Sequence, residues 1–97
     1  MVVAGLRFEL HIPLANSLKE KRSVVRPLVE GLRRMGSFSV SEVDHHDSWQ
    51  RTAIGVAIVT PDPGSMDLLI ERVRRRFNDT LEVEVLQTTV EFVEMEP

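Results

Sequence analysis

The 97-residue chain has no cysteine, five aromatic residues (four Phe and one Trp) and no long hydrophobic run. The first absence excludes disulfides, CxxC redox chemistry, thiolate zinc sites, iron–sulfur clusters and cysteine nucleophiles. Any metal centre would have to rest on His and carboxylate ligands. The longest apolar stretch, Ala53 to Val59, is far short of the roughly 20 residues of a membrane-spanning helix. The first residues show no basic, apolar and small-residue sequence of a signal peptide, so a cytoplasmic protein is expected. No GxxG clamp, GxxxxGK[ST] loop, GxSxG elbow or HExxH helix occurs. Strict repeats and low-complexity tracts are also missing.

What is present suits one ordinary domain covering residues 1–97. Hydrophobic residues make up 42% and charged residues 28%, too apolar and too mixed in sign for disorder. A chain of this length can bury roughly 65% of its unfolded surface, enough for a core without covalent staples.

Val2 to Ile12 reads as a strand, with Leu6, Phe8, Leu10 and Ile12 alternating against Arg7, Glu9 and His11. Pro13 has no N–H to continue the ladder. Ser17 followed by Glu20 has the spacing of a capping box, and Leu18, Val25, Leu28, Val29 and Leu32 form a helical stripe. Pro27 predicts a kink or a junction of two helical pieces, and Gly36 is placed to end the helix with positive φ. Phe38 to Asp44 is a second strand whose phase breaks at Val43, so a bulge near Ser41 is expected. Trp49 to Thr60 is a third strand, apolar on both faces and therefore central. Ser65 is read as the cap of a second helix carrying Met66, Leu69, Ile70, Val73 and Phe77. Leu81 to Glu94 is a last strand with a phase change near Gln87.

The order β-α-β-β-α-β, with right-handed crossovers, resolves most economically as a ferredoxin-like α/β (α+β) sandwich. Its four antiparallel strands lie in the order 4-1-3-2, with both helices on one face. An RNA recognition motif shares this topology but stacks bases on aromatics of strands one and three. Here those places hold Arg7, Glu9 and His11, and Ala53, Gly55 and Ala57, so reading RNA on the sheet face is not expected. The small residues of strand three suit a partner subunit instead.

Charge is unevenly spread behind the net −3. Ser17 to Met35 carries Lys19, Lys21, Arg22, Arg26, Arg33 and Arg34 against Glu20 and Glu30, a net +4. Leu81 to Pro97 carries five Glu and no base, a net −5. Lys19, Lys21, Arg22 and Arg26 are candidate contacts to phosphate or a nucleic-acid backbone, at the start of a helix that presents free N–H groups. The plainer reading is a solvated helix face. Arg72 to Arg76 also complement their own helix dipole. A second candidate is the loop Asp44, His45, His46, Asp47, Trp49, Gln50 and Arg51, dense in titratable groups. Carboxylate beside imidazole suits a general base or an oxygen/nitrogen ligand set. Yet its spacing matches no metal signature, and the plainer reading is a polar hairpin with Trp49 at the core's edge. Strands one and two run parallel in this topology, so the helix start and this loop share one end of the sheet.

Two segments, Ser17-Leu18-Lys19-Glu20-Lys21-Arg22-Ser23-Val24-Val25 and Glu42-Val43-Asp44-His45-His46-Asp47-Ser48-Trp49-Gln50-Arg51, resemble the YlxP-like family of small bacterial proteins of unknown function. The resemblance covers nearly the whole chain. It implies a ferredoxin-like fold and a bacterial cytosolic protein. It also implies a gene neighbourhood shared, in many bacteria, with translation initiation factor 2 and ribosome-binding factor A. The family has no established catalytic residues to carry over.

Three functions follow as expectations. The first is a non-catalytic binding module acting on RNA or a ribosomal partner, with no catalytic residue, metal or cofactor. The second is a small metal-assisted or phosphate-handling enzyme built on Asp44 to Asp47. The third is a homodimeric interaction protein.

Overall fold

The computed structural model describes residues 1–96. Its elements are β1 (Val2–His11), α1 (Leu18–Arg34), β2 (Ser39–Asp44), β3 (Arg51–Thr60), α2 (Pro63–Asn78) and β4 (Glu84–Glu94). The sheet order is β2-β3-β1-β4 with every neighbouring pair antiparallel, the expected 4-1-3-2 arrangement. Among the described residues, no helix is long and apolar enough to cross a membrane.

The period of two in β1 sends Val2, Ala4, Leu6, Phe8 and Leu10 into the core beneath the helices. Thr52, Ile54, Val56 and Ile58 do the same from β3. The helices close over them with Val25, Leu28 and Leu32 of α1 and Met66, Val73 and Phe77 of α2. Phe8 and Phe77 stack with ring centroids 3.9 Å apart at 18°, tying the central strand to α2.

The two phase breaks in the sequence are irregularities of pairing. In β2 the register slips between Glu42 and Asp44, which leaves Val43 as the extra residue, just past the expected Ser41. In β4 it slips opposite Glu9 and Leu10, leaving Leu86 extra beside Gln87. The strand starts at Glu84 rather than Leu81, whose side chain is almost wholly exposed.

Three helix expectations need correction. α1 is one helix through Pro27, which removes the junction of two pieces from the two alternatives expected there. Pro27 and Ser23 are both exposed, so water can reach the Ser23 carbonyl whose donor Pro27 lacks. Gly36 is not a positive-φ cap, since no described glycine has positive φ and α1 ends at Met35 with its N–H on the Leu32 carbonyl at 3.1 Å. A Cβ at Gly36 would press on the Phe38 ring at 3.1 Å, so the position is small for space rather than for conformation. Asp62, not Ser65, caps α2. Pro63 is pre-shaped for the first turn, and Asp62 accepts the Ser65 amide (2.8 Å) and hydroxyl (3.0 Å). Those bonds hold the Asp62 carboxyl below its ordinary value. At the start of α1 the capping bond is as expected, Glu20 N–H to Ser17 Oγ at 3.1 Å, while the Glu20 carboxylate reaches back to the Asn16 N–H.

Candidate functional site

The start of α1 and the β2–β3 connection meet at one end of the sheet, and the two segments that carry the resemblance are bonded to each other. Lys21 is the joint. It is 2% exposed, and its ammonium lies 2.9 Å from Glu42 Oε2 and donates to the His45 carbonyl at 2.7 Å. Glu42 also accepts the Thr52 hydroxyl at 2.6 Å. Burial raises the Glu42 carboxyl, but the bonds from Thr52 and Lys21 and the nearby positive charge outweigh it, leaving Glu42 below its ordinary value. The expectation that Lys21 contacts phosphate is therefore corrected. Its ammonium is turned inward onto Glu42 and the His45 carbonyl, and it fastens the loop to the helix.

His45 has φ 62, a left-handed conformation uncommon outside glycine. The conformation is held on several sides. The His45 N–H donates to Asp44 Oδ1 at 2.7 Å, and its carbonyl accepts from both Lys21 and Ser48. Its ring reaches the open sheet face, placing Nε2 2.7 Å from Glu9 Oε2. Glu9 was expected on a wet strand face but is 8% exposed. Arg7 (2.8 Å) and Arg51 (2.9 Å) donate to its two oxygens, and Arg7 also reaches Asp44 at 3.4 Å. Burial raises the Glu9 carboxyl; the Arg51 and Arg7 hydrogen bonds and the charges of His45 and Arg7 more than offset it and hold it below the ordinary range.

Gln50 completes the joint. Its side-chain amide donates to the carbonyls of Pro13 (3.2 Å) and Ala15 (3.1 Å), while its backbone carbonyl accepts the Ile12 N–H at 2.8 Å. His11 turns to Glu84 of β4 at 3.3 Å and stays outside the cluster. His46, Asp47 and Trp49 face outward; Trp49, placed by expectation at the core's edge, is 54% exposed. Among the described residues, no group of three or more His, Asp or Glu is arranged to hold a metal ion.

The remaining basic candidates lie outside this joint. Lys19, Arg22 and Arg26 are exposed and line one shallow hollow on α1 with Ser23 and Pro27. None of the ion pairs among the described residues engages them. His46 and Glu42 border Arg22 and Arg26 on the loop side. On α2, Arg76 lays its guanidinium against Gly31, where any Cβ would collide with it, so this cation also fits the helices together.

The lowered Glu9 and Glu42 values set a direction for acid stability. A carboxyl whose folded value is depressed stabilises the fold above its unfolded value, ordinarily 4.5. That contribution disappears as the pH falls through the folded value. The urea midpoint is expected to hold steady down to about pH 5 and then to fall. Glu9→Gln should start from a lower midpoint at neutral pH and lose less on acidification. An acid loss equal to that of the parent would remove Glu9 from the account.

The known proteins most informative about this chain share its architecture or its sequence. Across its whole length it superposes on all of an antibiotic biosynthesis monooxygenase crystal structure, with TM-score 0.57 and 18% identity. It superposes over 96% of its length on 84% of a de novo designed protein with a ferredoxin fold, with TM-score 0.52 and 8% identity. At these identities the likeness shows the fold, which is ferredoxin-like. In sequence it is 32% identical over 78 residues to the uncharacterized protein YlxP of Bacillus subtilis (strain 168), covering 80% of this chain and 85% of that one. Residues 3–90 match the family described as protein of unknown function (DUF503). With most of its length matched on both counts, the chain belongs to the DUF503 family of proteins of unknown function and is YlxP-like.

Proposed function

We propose that the chain is a non-catalytic binding module whose α1 face takes the backbone of an RNA, free or within a ribosomal particle. One observation carries the reading: Lys19, Arg22 and Arg26 stand exposed on one helix face with no carboxylate partner among the described residues. Cations paired within the fold have their charge satisfied; these three keep theirs for a polyanion. Their spacing of three and four residues repeats along the helix, which suits contact with successive phosphates. The gene neighbourhood implied by the YlxP-like resemblance supports the same class of partner. Trp49 adds a half-exposed aromatic on the adjoining loop, and an unstacked base can lie on such a ring.

Because Trp49 is the one tryptophan, its fluorescence reports directly on the loop. Titration with mixed-sequence RNA over a salt series is the test. With three phosphates engaged, the log–log slope of affinity against salt is expected to be on the order of −2 for a single strand. Lys19→Glu, Arg22→Glu and Arg26→Glu together should abolish binding while leaving the melting curve nearly unchanged, since none of the three is buried. Absence of binding at low salt, or a response flat in salt, would sink the reading.

A further inference from the structure

The sheet face turned away from the helices carries apolar surface that the fold itself does not use. Val59 is 63% exposed and Val93 60%. The register sets both beside Val3, and Ala57 and Gly5 form the next row. Over Gly5 the space is open, because a Cβ built there meets nothing within 4 Å. We infer that this face is the contact between two copies of the chain, stacked sheet against sheet. The inference is independent of the RNA reading, since α1 lies on the other side of the sheet.

The occupant follows from extent, chemistry and charge. Three strands of ten or eleven residues and one of six present a flat area of roughly 600 Å². Side-chain relief brings this close to the roughly 800 Å² per partner of a standard stable interface. An RNA partner would need an aromatic platform, and the rows of this face on β1 and β3 hold none. A two-fold axis along the strands, between β1 and β3, lays Val3 on Val59 and Gly5 on Ala57 of the other copy. It sets Glu91 over Ser39 and Asp44 over Gln87, so no carboxylate lies directly opposite another. The Arg7–Glu9 pair near the middle is already neutralised within each copy. The other obvious self-contact is worse. Pairing the β4 edge with itself about Thr89 puts Glu84 opposite Glu94, a like-charge contact in each half.

Gly5 makes the test clean. A lysine there enters open space in the single chain, but in the stacked pair it drives a charge into the centre of the contact. Light scattering over a dilution series at micromolar concentration is expected to give twice the chain mass for the parent and the single-chain mass for Gly5→Lys. Circular dichroism of the variant should match the parent. Val59→Lys, at an already exposed position, serves as the second variant and is expected to give a single chain too. A parent that remains a single chain throughout overturns the inference. So does a folded Gly5→Lys or Val59→Lys that still pairs, because the contact would then lie elsewhere.

Discussion

Lys21→Met is expected to lower the unfolding free energy by about 3 kcal/mol, the low end of the loss when one partner of a buried ion pair is removed. For a domain of this size that corresponds to a fall in Tm on the order of 15 °C. The methionine keeps most of the aliphatic stem, so the loss measures the ammonium rather than a cavity. Two acceptors each lose a donor, Glu42 Oε2 at 2.9 Å and the His45 carbonyl at 2.7 Å, the latter keeping only the Ser48 N–H. Glu42 keeps its Thr52 bond and some contact with water, which holds the loss below the upper limit for such pairs. The double variant Lys21→Met, Glu42→Gln should recover part of the stability, because no unpaired carboxylate is then left. Urea titration of the four proteins closes the cycle. A loss under 1 kcal/mol for the single variant, roughly that of an exposed lysine, would contradict the role of Lys21 as the joint.

Phe77→Ala is expected to cost about 4 kcal/mol, as for other buried aromatic truncations. Phe77 and Phe8 are both 1% exposed and stacked at 3.9 Å, so the truncation empties a site walled by the central strand. α2 buries only Met66, Val73 and Phe77, so its last turns lose their anchor. Phe77→Leu should cost far less, since it refills most of the volume. The losses for Phe8→Ala and Phe77→Ala should exceed that of the double variant when summed, because both remove the same contact. Urea midpoints and slopes supply the comparison; strict additivity would show that the rings are energetically separate.

The elements and their pairing order were legible because they rest on local periods. Leu6, Phe8 and Leu10 alternate, Leu28 and Leu32 recur at helical spacing, and the misfit of Val43 marks its bulge. The joint was harder to see. Lys21 stands among Lys19, Arg22 and Arg26, and by composition it belongs with them. A signal was nonetheless present: positions 21, 25, 28 and 32 fall on one helical stripe, so Lys21 is in phase with Val25, Leu28 and Leu32. What the stripe lacks is the partner. Glu42 lies on another strand, and only the tertiary fold brings it under the helix. Glu9 was legible in no such way. Strand alternation puts it on the open face, and its burial comes from Arg7, Arg51 and His45 converging over it from three segments. The Pro63 turn shows a competing local rule: Ser65 reads as the cap, but the proline is pre-shaped for the first helical turn and moves the cap back to Asp62.

The inner position of β1 sets the order in which the chain can assemble. Val2 pairs with Thr60 on one side and Glu94 on the other, so neither partner is a sequence neighbour. During synthesis Leu6, Phe8 and Leu10 leave the ribosome ahead of both their partner strands and find none to pair with until β3 follows. The sheet closes only when β4 has also emerged. Such a topology is dominated by non-local contacts, and loop-closure entropy must be met before they form, which favours slow folding. Until then the apolar face of β1 is exposed to other chains, so its early lifetime depends on how quickly residues 51–60 arrive.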